Sequence, residues 1–371
     1  MKVVRLSLIP AFLILQTACH FQIGAVPRIN QKAPKSVNQV TTPITQANVG
    51  PEYNAYVNEV RKHWANNNYE WLEGEARRLG ESKDRLPGGY WKLRVLYQSI
   101  EGLVDRVASD DIWQKHIANV ETWIKEHPAA AMPRIILADL WRSYAWKARG
   151  TGYANTVEPE GWKTFDQRLD KTIEILGEAA NLEGESPEWY LTALLAARGR
   201  GHDREAFEKL FEQSIRLEPT YYYLYQAKAG YLLPQWYGER GEWERFAEEA
   251  SNRVGGEQGD IILFTVYTFQ MSNSSSDFMN TRQAIAPRLL AGFRAIDKLY
   301  GSSPQRLNEA CLISFFAGDN EIPAELMKRI GNNYDLTVWK DDSNFNIFRQ
   351  EALMRVGKLP RYGQSDGAQK Q

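Results

Sequence analysis

Residues 188–219 read EWYLTALLAARGRGHDREAFEKLFEQSIRLEP, and this stretch decides the fold. Leu191 and Leu194 lie one helical turn apart. After the turn at Gly199-Arg200-Gly201, Phe207, Leu210, Phe211, Ser214 and Leu217 recur at steps of three, one, three and three, one stripe along a helix. Ser186-Pro187-Glu188 opens the first helix with an N-cap residue, a proline at the first helical position and an acid in the first turn. Pro219 closes the second, because proline disfavours helix in the residue before it. The stretch predicts a helical hairpin.

The same rhythm extends in both directions. Phe165, Leu169, Ile173, Leu176 and Ala180 form another stripe. Ser303-Pro304 repeats the cap and proline, Glu126-His127-Pro128 closes a helix, and Gly80, Gly150 and Gly301 punctuate others. The pattern predicts helices near 51–65, 68–79, 89–105, 110–126, 132–148, 159–182, 187–199, 203–217, 220–233, 241–253, 258–271, 282–300, 304–317 and 321–330. Ile261 to Phe269 (IILFTVYTF) reads as a strand or as a helix buried on most faces, and its helical surroundings favour the helix. Residues 335–348 carry Trp339, Phe345 and Phe348 and are expected to cap the last helical layer. The expected fold is all-α, an irregular α-solenoid of helical hairpins over 51–357.

The 188–219 unit resembles the tetratricopeptide hairpin. Phe207, Phe211, Ser214 and Pro219 fall at that family's apolar, aromatic, small and proline offsets. Leu195 and Arg198 depart from it. A weaker echo ends at Pro128, with Val120 and Trp123 in the aromatic and small slots. The 91 residues separating the two prolines are not a multiple of the 34-residue repeat, so a regular tandem array is not established. Residues 216–248 also resemble an uncharacterised bacterial family of helical, tetratricopeptide-like proteins through Pro219, Tyr221, Tyr222, Leu232, Leu233, Pro234, Trp236, Gly238, Phe246 and Ala247. That resemblance implies a fold and no activity.

The N-terminus reads as an export signal. Lys2 and Arg5 precede the apolar run Leu6 to Leu15, which is too short to span a bilayer as a helix. Leu15-Gln16-Thr17-Ala18-Cys19 resembles the lipobox of bacterial lipoproteins, with Gln16 departing from it. The resemblance implies cleavage after residue 18 and lipidation of Cys19. Residues 19–50 then form the attachment site and a polar tether carrying Arg28, Lys32 and Lys35 but no acid, and 358–371 form a polar tail. The expected location is the cell envelope, lipid-anchored on the periplasmic side. His20 replaces the aspartate of enteric inner-membrane lipoproteins, which points to the outer membrane. Secretion or a soluble periplasmic form is the alternative.

The composition narrows the chemistry. The chain has 371 residues, 45 basic and 46 acidic, so no global field recruits nucleic acid. Two cysteines make neither a disulfide scaffold nor a multi-cysteine metal site. No G-x-S-x-G, H-E-x-x-H or P-loop motif occurs, and His20, His63, His116, His127 and His202 have no second ligand at metal spacing. Cys311 has no neighbouring base. The pairs Asp110-Asp111, Glu158/Glu160 and Glu248-Glu249 read as helix-start or solvent-facing acids. No cofactor, metal or catalytic residue is expected.

Aromatic content is the unusual feature: eleven of twelve tryptophans lie between Trp64 and Trp243. They either fill gaps between helices or line a groove for a partner. The candidate partner-binding residues are Trp141, Tyr144, Trp189, Tyr190, Tyr222, Tyr225, Trp236 and Tyr237. The expected function is a membrane-tethered, non-catalytic module that binds a protein or peptide. The alternatives are a carbohydrate or small-ligand binder using the aromatics, and an envelope glycan hydrolase. The oligomeric state is left open.

Overall fold

The computed structural model describes residues 45–46, 49–150, 156–182, 186–200, 204–272, 278–279 and 281–357. The stretches expected to form the signal peptide (1–18), the lipid attachment site at Cys19, most of the tether and the 358–371 tail lie outside the described residues.

The protein is all-α, a helical-repeat fold. The described residues form sixteen α-helices: α1 (Pro51–Ala65), α2 (Tyr69–Ser82), α3 (Lys92–Glu101), α4 (Asp110–Glu126), α5 (Ala131–Arg149), α6 (Pro159–Ala180), α7 (Pro187–Ala197) and α8 (Arg204–Leu217). They continue with α9 (Tyr222–Tyr231), α10 (Glu242–Val254), α11 (Gly256–Ser272), α12 (Ala286–Tyr300), α13 (Pro304–Ser314), α14 (Ile322–Ile330), α15 (Leu336–Trp339) and α16 (Asp342–Arg355). Strands are two residues long: β1 (Thr45–Gln46) pairs in parallel with β4 (Asn333–Tyr334), and β2 (Arg85–Leu86) pairs with β3 (Tyr90–Trp91).

Helices α1 and α4 have the expected bounds. Helix α3 does not: it begins at Lys92 rather than 89 and ends at Glu101 rather than 105. Pro87-Gly88-Gly89 makes the turn between β2 and β3, with both glycines at positive φ. A Cβ on Gly88 would lie 2.6 Å from the Ser303 hydroxyl oxygen, so glycine is required there for space as well as conformation. Ile261 to Phe269 is helical, inside α11, and most of it is buried. A helix enclosed by neighbours shows no periodicity, which is why its sequence resembles a strand.

The contacts divide the described chain into two compact units. Of the described residues, the first takes those within 56–84 and 91–248, the second 45–46, 49–55, 85–90 and those within 249–357. In the first unit, Trp146 of α5 packs its edge on Phe165 of α6 at 5.3 Å, with Ala145 and Leu169 beside them. The α6 stripe is Phe165, Leu169, Thr172, Leu176 and Ala179; Ala180 is exposed instead. The shift follows the 3.6-residue turn, which the longer run of four-residue steps overshoots.

In the second unit, α12 approaches α11 so closely that a Cβ on Gly292 would lie 2.2 Å from the Asp260 carbonyl oxygen. Asn308 of α13 is fully buried and organises the end of this unit. Its amide nitrogen donates to the Pro304 and Asn333 carbonyls at 2.8 and 2.9 Å, and its oxygen accepts from Asp335 N–H and Trp339 Nε1. Trp339 and Phe345, from the stretch expected to cap the last layer, are buried on α15 and α16.

Candidate functional site

The first unit holds a cavity of about 570 Å³, within the range of ligand and peptide sites. Helix ends surround it. His127 to Ala130, which join α4 to α5, form one wall with Ala131 and Met132 of α5, and Ser186-Pro187 at the start of α7 form another. Leu217 and Glu218 close α8 beside them, and α2 contributes Glu73, Ala76, Arg77 and Gly80. Trp91, Leu93 and Tyr97 of β3 and α3 also line it. The small side chains at 76, 80 and 129–131 keep it open.

Several charges at the rim are engaged by the fold. Glu73 accepts from Trp123 Nε1 at 2.7 Å and lies 3.0 Å from His127 Nδ1. Glu218 pairs with Lys83 at 2.7 Å and accepts from Thr220 Oγ1, also at 2.7 Å.

Next to the cavity lies a buried ionic cluster. Arg94 donates from Nη2 to Glu101 Oε2 at 2.8 Å and from Nη1 to Glu188 Oε2 at 2.5 Å. Tyr221 donates its hydroxyl to the other oxygen of Glu188. Arg142 donates from Nε to Asp139 Oδ1 at 2.7 Å, one turn back on α5. All six side chains are buried. One guanidinium cannot hold two desolvated carboxylates ionised equally well. Burial pushes Glu101 up to about 8 and raises Glu188 as well. Burial also works to raise Asp139, but Arg142 outweighs it and holds Asp139 below the usual carboxylate range.

The cluster touches the cavity through two aromatics. Tyr97 bonds the Ser186 side chain, and Trp91 sets its ring edge-on to Tyr221 at 4.6 Å. Sequence reasoning missed this assembly. Its one visible signal is Asp139 and Arg142 at i, i+3 inside the apolar run Ile135 to Trp146.

None of the eight aromatic candidates lines this cavity. Tyr144, Tyr190, Tyr222 and Tyr225 are core residues, each under 4% exposed. Tyr225 donates to the Pro219 carbonyl at 2.8 Å, and Tyr144 stacks on Trp113 at 5.1 Å. Trp141 and Trp189 are half-buried, and Trp189 Nε1 donates to the Leu176 carbonyl at 2.9 Å. Trp236 is half-buried against Trp146, and Tyr237, at 36% exposure the most open of the eight, stacks on Tyr231. The structure brings Trp141 together with Tyr144 and Trp189 together with Tyr190, and most of these rings pack between helices.

Cys311 is fully buried, and burial pushes its thiol up, away from reactivity. His116 Nε2 bonds the Ile100 carbonyl at 3.0 Å, and burial lowers its pKa. His63 stacks on Trp71. His20 and His202 lie outside the described residues. Among the described residues no group of three or more His, Cys, Asp or Glu side chains is placed to hold a metal ion, and no helix is long and apolar enough to cross a membrane.

No family model matches the chain, and no curated protein is significantly similar to it. The resemblances of 188–219 and 216–248 therefore rest on their own residues.

Proposed function

We propose that the protein is a tethered, non-catalytic binding module of the bacterial cell envelope. In this reading Cys19 carries the lipid and residues 20–50 the tether, and the cavity of the first unit receives a segment of a protein or peptide partner. The observation that carries it is the 570 Å³ cavity framed by helix ends, with acids at its rim already held by Lys83, His127 and Trp123. Small side chains at Ala76, Gly80 and Ala129 give a partner's main chain room to approach. The apolar flanks, Leu93, Met132, Ile135 and Leu217, receive its side chains.

The test is photo-crosslinking in living cells from position 129, followed by mass spectrometry. A reproducible protein adduct that disappears in Ala76→Trp supports the reading, provided the variant keeps its circular-dichroism spectrum. An adduct unchanged by Ala76→Trp, or no adduct beside a working positive control, refutes it. The same spectra read the N-terminus, and an unlipidated Cys19 removes the tether.

A further inference from the structure

We propose that residues 358–366 of this chain fold back into a groove between α14 and α16 of the second unit and cover it.

The groove has a volume of about 520 Å³. Its floor is apolar, made by Ala324 and Met327 of α14 and Leu353 and Val356 at the end of α16. Its charged lining is Glu321, Glu325 and Lys328 from the α14 side and Arg349 from α16. None of these four side chains forms an ion pair or hydrogen bond among the described residues.

The charges are sorted by sign along the groove. Tyr334, just past the end of α14, stacks on Phe345 near the start of α16 at 4.6 Å. Arg355, at the end of α16, donates to the carbonyl of Phe315, which opens the connection into α14, at 3.3 Å. The two helices therefore run antiparallel. Glu321 and Glu325 lie towards the end where Val356 caps α16, and Lys328 and Arg349 lie towards the other.

Residues 358–366 read KLPRYGQSD and carry the complementary order. Lys358 and Arg361 come first, facing the acids; Asp366 comes last, facing Lys328 and Arg349; Leu359 and Tyr362 meet the floor. The exit of the chain also fits. Gly357 has φ 69°, and its N–H donates to the Met354 carbonyl at 3.1 Å, so the backbone leaves the helix axis beside Val356. From Glu321 to Lys328 α14 rises about 10 Å. The chain from 357 to 366 reaches up to about 30 Å when extended, so Asp366 arrives at the basic end with slack.

The tether decides between occupants. A segment joined this closely has an effective concentration in the millimolar range, so contacts too weak to hold a separate peptide hold this one. Pro360 restricts the free segment and lowers the entropy lost on docking. Exposed ion pairs contribute little by themselves. Their order sets the direction of the segment, while burial of Leu359 and Tyr362 supplies the affinity. A second copy or a foreign helix would bear the full entropy of association.

The test uses the whole chain. Ala324→Cys and Leu359→Cys are introduced together, and mild oxidation is followed by peptide mass mapping. Gln350→Cys with Leu359→Cys is the reference, because Gln350 is exposed on α16 outside the groove. The 324–359 disulfide should form within one chain at least tenfold faster than the 350–359 disulfide. Equal rates overturn the proposal. So does a 324–359 disulfide that joins two chains, which would assign the groove to a second copy.

A second measurement leaves the groove untouched. Trypsin cleavage after Arg361 should be at least tenfold faster in Leu359→Asp than in the wild type, because the variant segment cannot stay on the apolar floor. Equal cleavage rates overturn the proposal.

Discussion

Replacing Glu101 by Gln should stabilise the protein at neutral pH. Glu101 is buried beside Arg94, which Glu188 also engages. Burial pushes Glu101 from the ordinary 4.5 to about 8, so at pH 7 the folded chain holds a proton that the unfolded chain releases. A group whose pKa rises on folding contributes stability that is complete below its unfolded value and is lost as pH climbs towards the folded one. Each pH unit above 4.5 therefore withdraws about 1.4 kcal/mol until the folded group ionises. At pH 7 the loss is about 3 kcal/mol, a large fraction of a domain's total stability. Gln keeps an oxygen for Arg94 Nη2 and has no proton to release, so it escapes the loss.

The assay is urea denaturation of wild type and Glu101→Gln at pH 5, 7 and 8, followed by tryptophan fluorescence. The midpoints should nearly coincide at pH 5 and diverge in favour of the variant as pH rises. A variant that is less stable than wild type at pH 7 and 8 would refute the reasoning, because it would mean that Glu101 is ionised and is the partner Arg94 needs.

Gly292→Ala should destabilise the second unit by about 2 kcal/mol or more, since its Cβ would meet the Asp260 carbonyl oxygen at 2.2 Å and overpacking strains both helices. Gly177→Ala is the control: it is exposed on α6 with nothing within 4 Å of the new Cβ, and better helix propensity should add about 0.5–1 kcal/mol, read as a higher Tm. Asn308→Ala should cost about 3 kcal/mol or more, because it strips the buried Trp339 indole and three backbone groups of their partner; the check is the denaturant midpoint together with the tryptophan emission wavelength.

The helices were legible because their ends carry chemistry. Ser186-Pro187, Ser303-Pro304 and Pro128 mark boundaries that the structure keeps. The error at α3 came from starting the helix at Gly89, although Gly88-Gly89 after Pro87 is itself a turn signal. The aromatics were not legible. Tyr221, Tyr222, Tyr223 and Tyr225 cannot share one face, and a helix in an open layer would expose some of them. In α9 and its N-cap three are buried and Tyr223 is half-buried, because neighbours cover the helix on nearly every side. Residue type alone does not reveal that enclosure. The ionic cluster stayed hidden for the opposite reason: Arg94, Glu101 and Glu188 are residue types that ordinarily face water, and only long-range folding brings Arg94 and Glu188, 94 positions apart, into contact.

The cluster and the cavity are one construction. Arg94 sits on α3 between Leu93 and Tyr97, which both line the cavity. Glu188 sits in the first turn of α7, directly after Ser186 and Pro187, which line it too. The Arg94–Glu188 contact therefore fixes two walls against each other. Tyr221 extends the bond to the start of α9 and supports the Trp91 ring. A buried ion pair is weak evidence for stability, since well-packed apolar residues often do as well. It is better evidence for register: a carboxylate and a guanidinium at 2.5 Å tolerate little sliding, whereas leucines tolerate more. Under the proposed binding function, walls held in this way would lose little conformational entropy when the partner segment enters. The destabilising proton on Glu101 is then the counterpart of a pre-formed site, and relieving it in Glu101→Gln tests the energetics of the cluster without removing the Arg94–Glu188 contact that shapes the cavity.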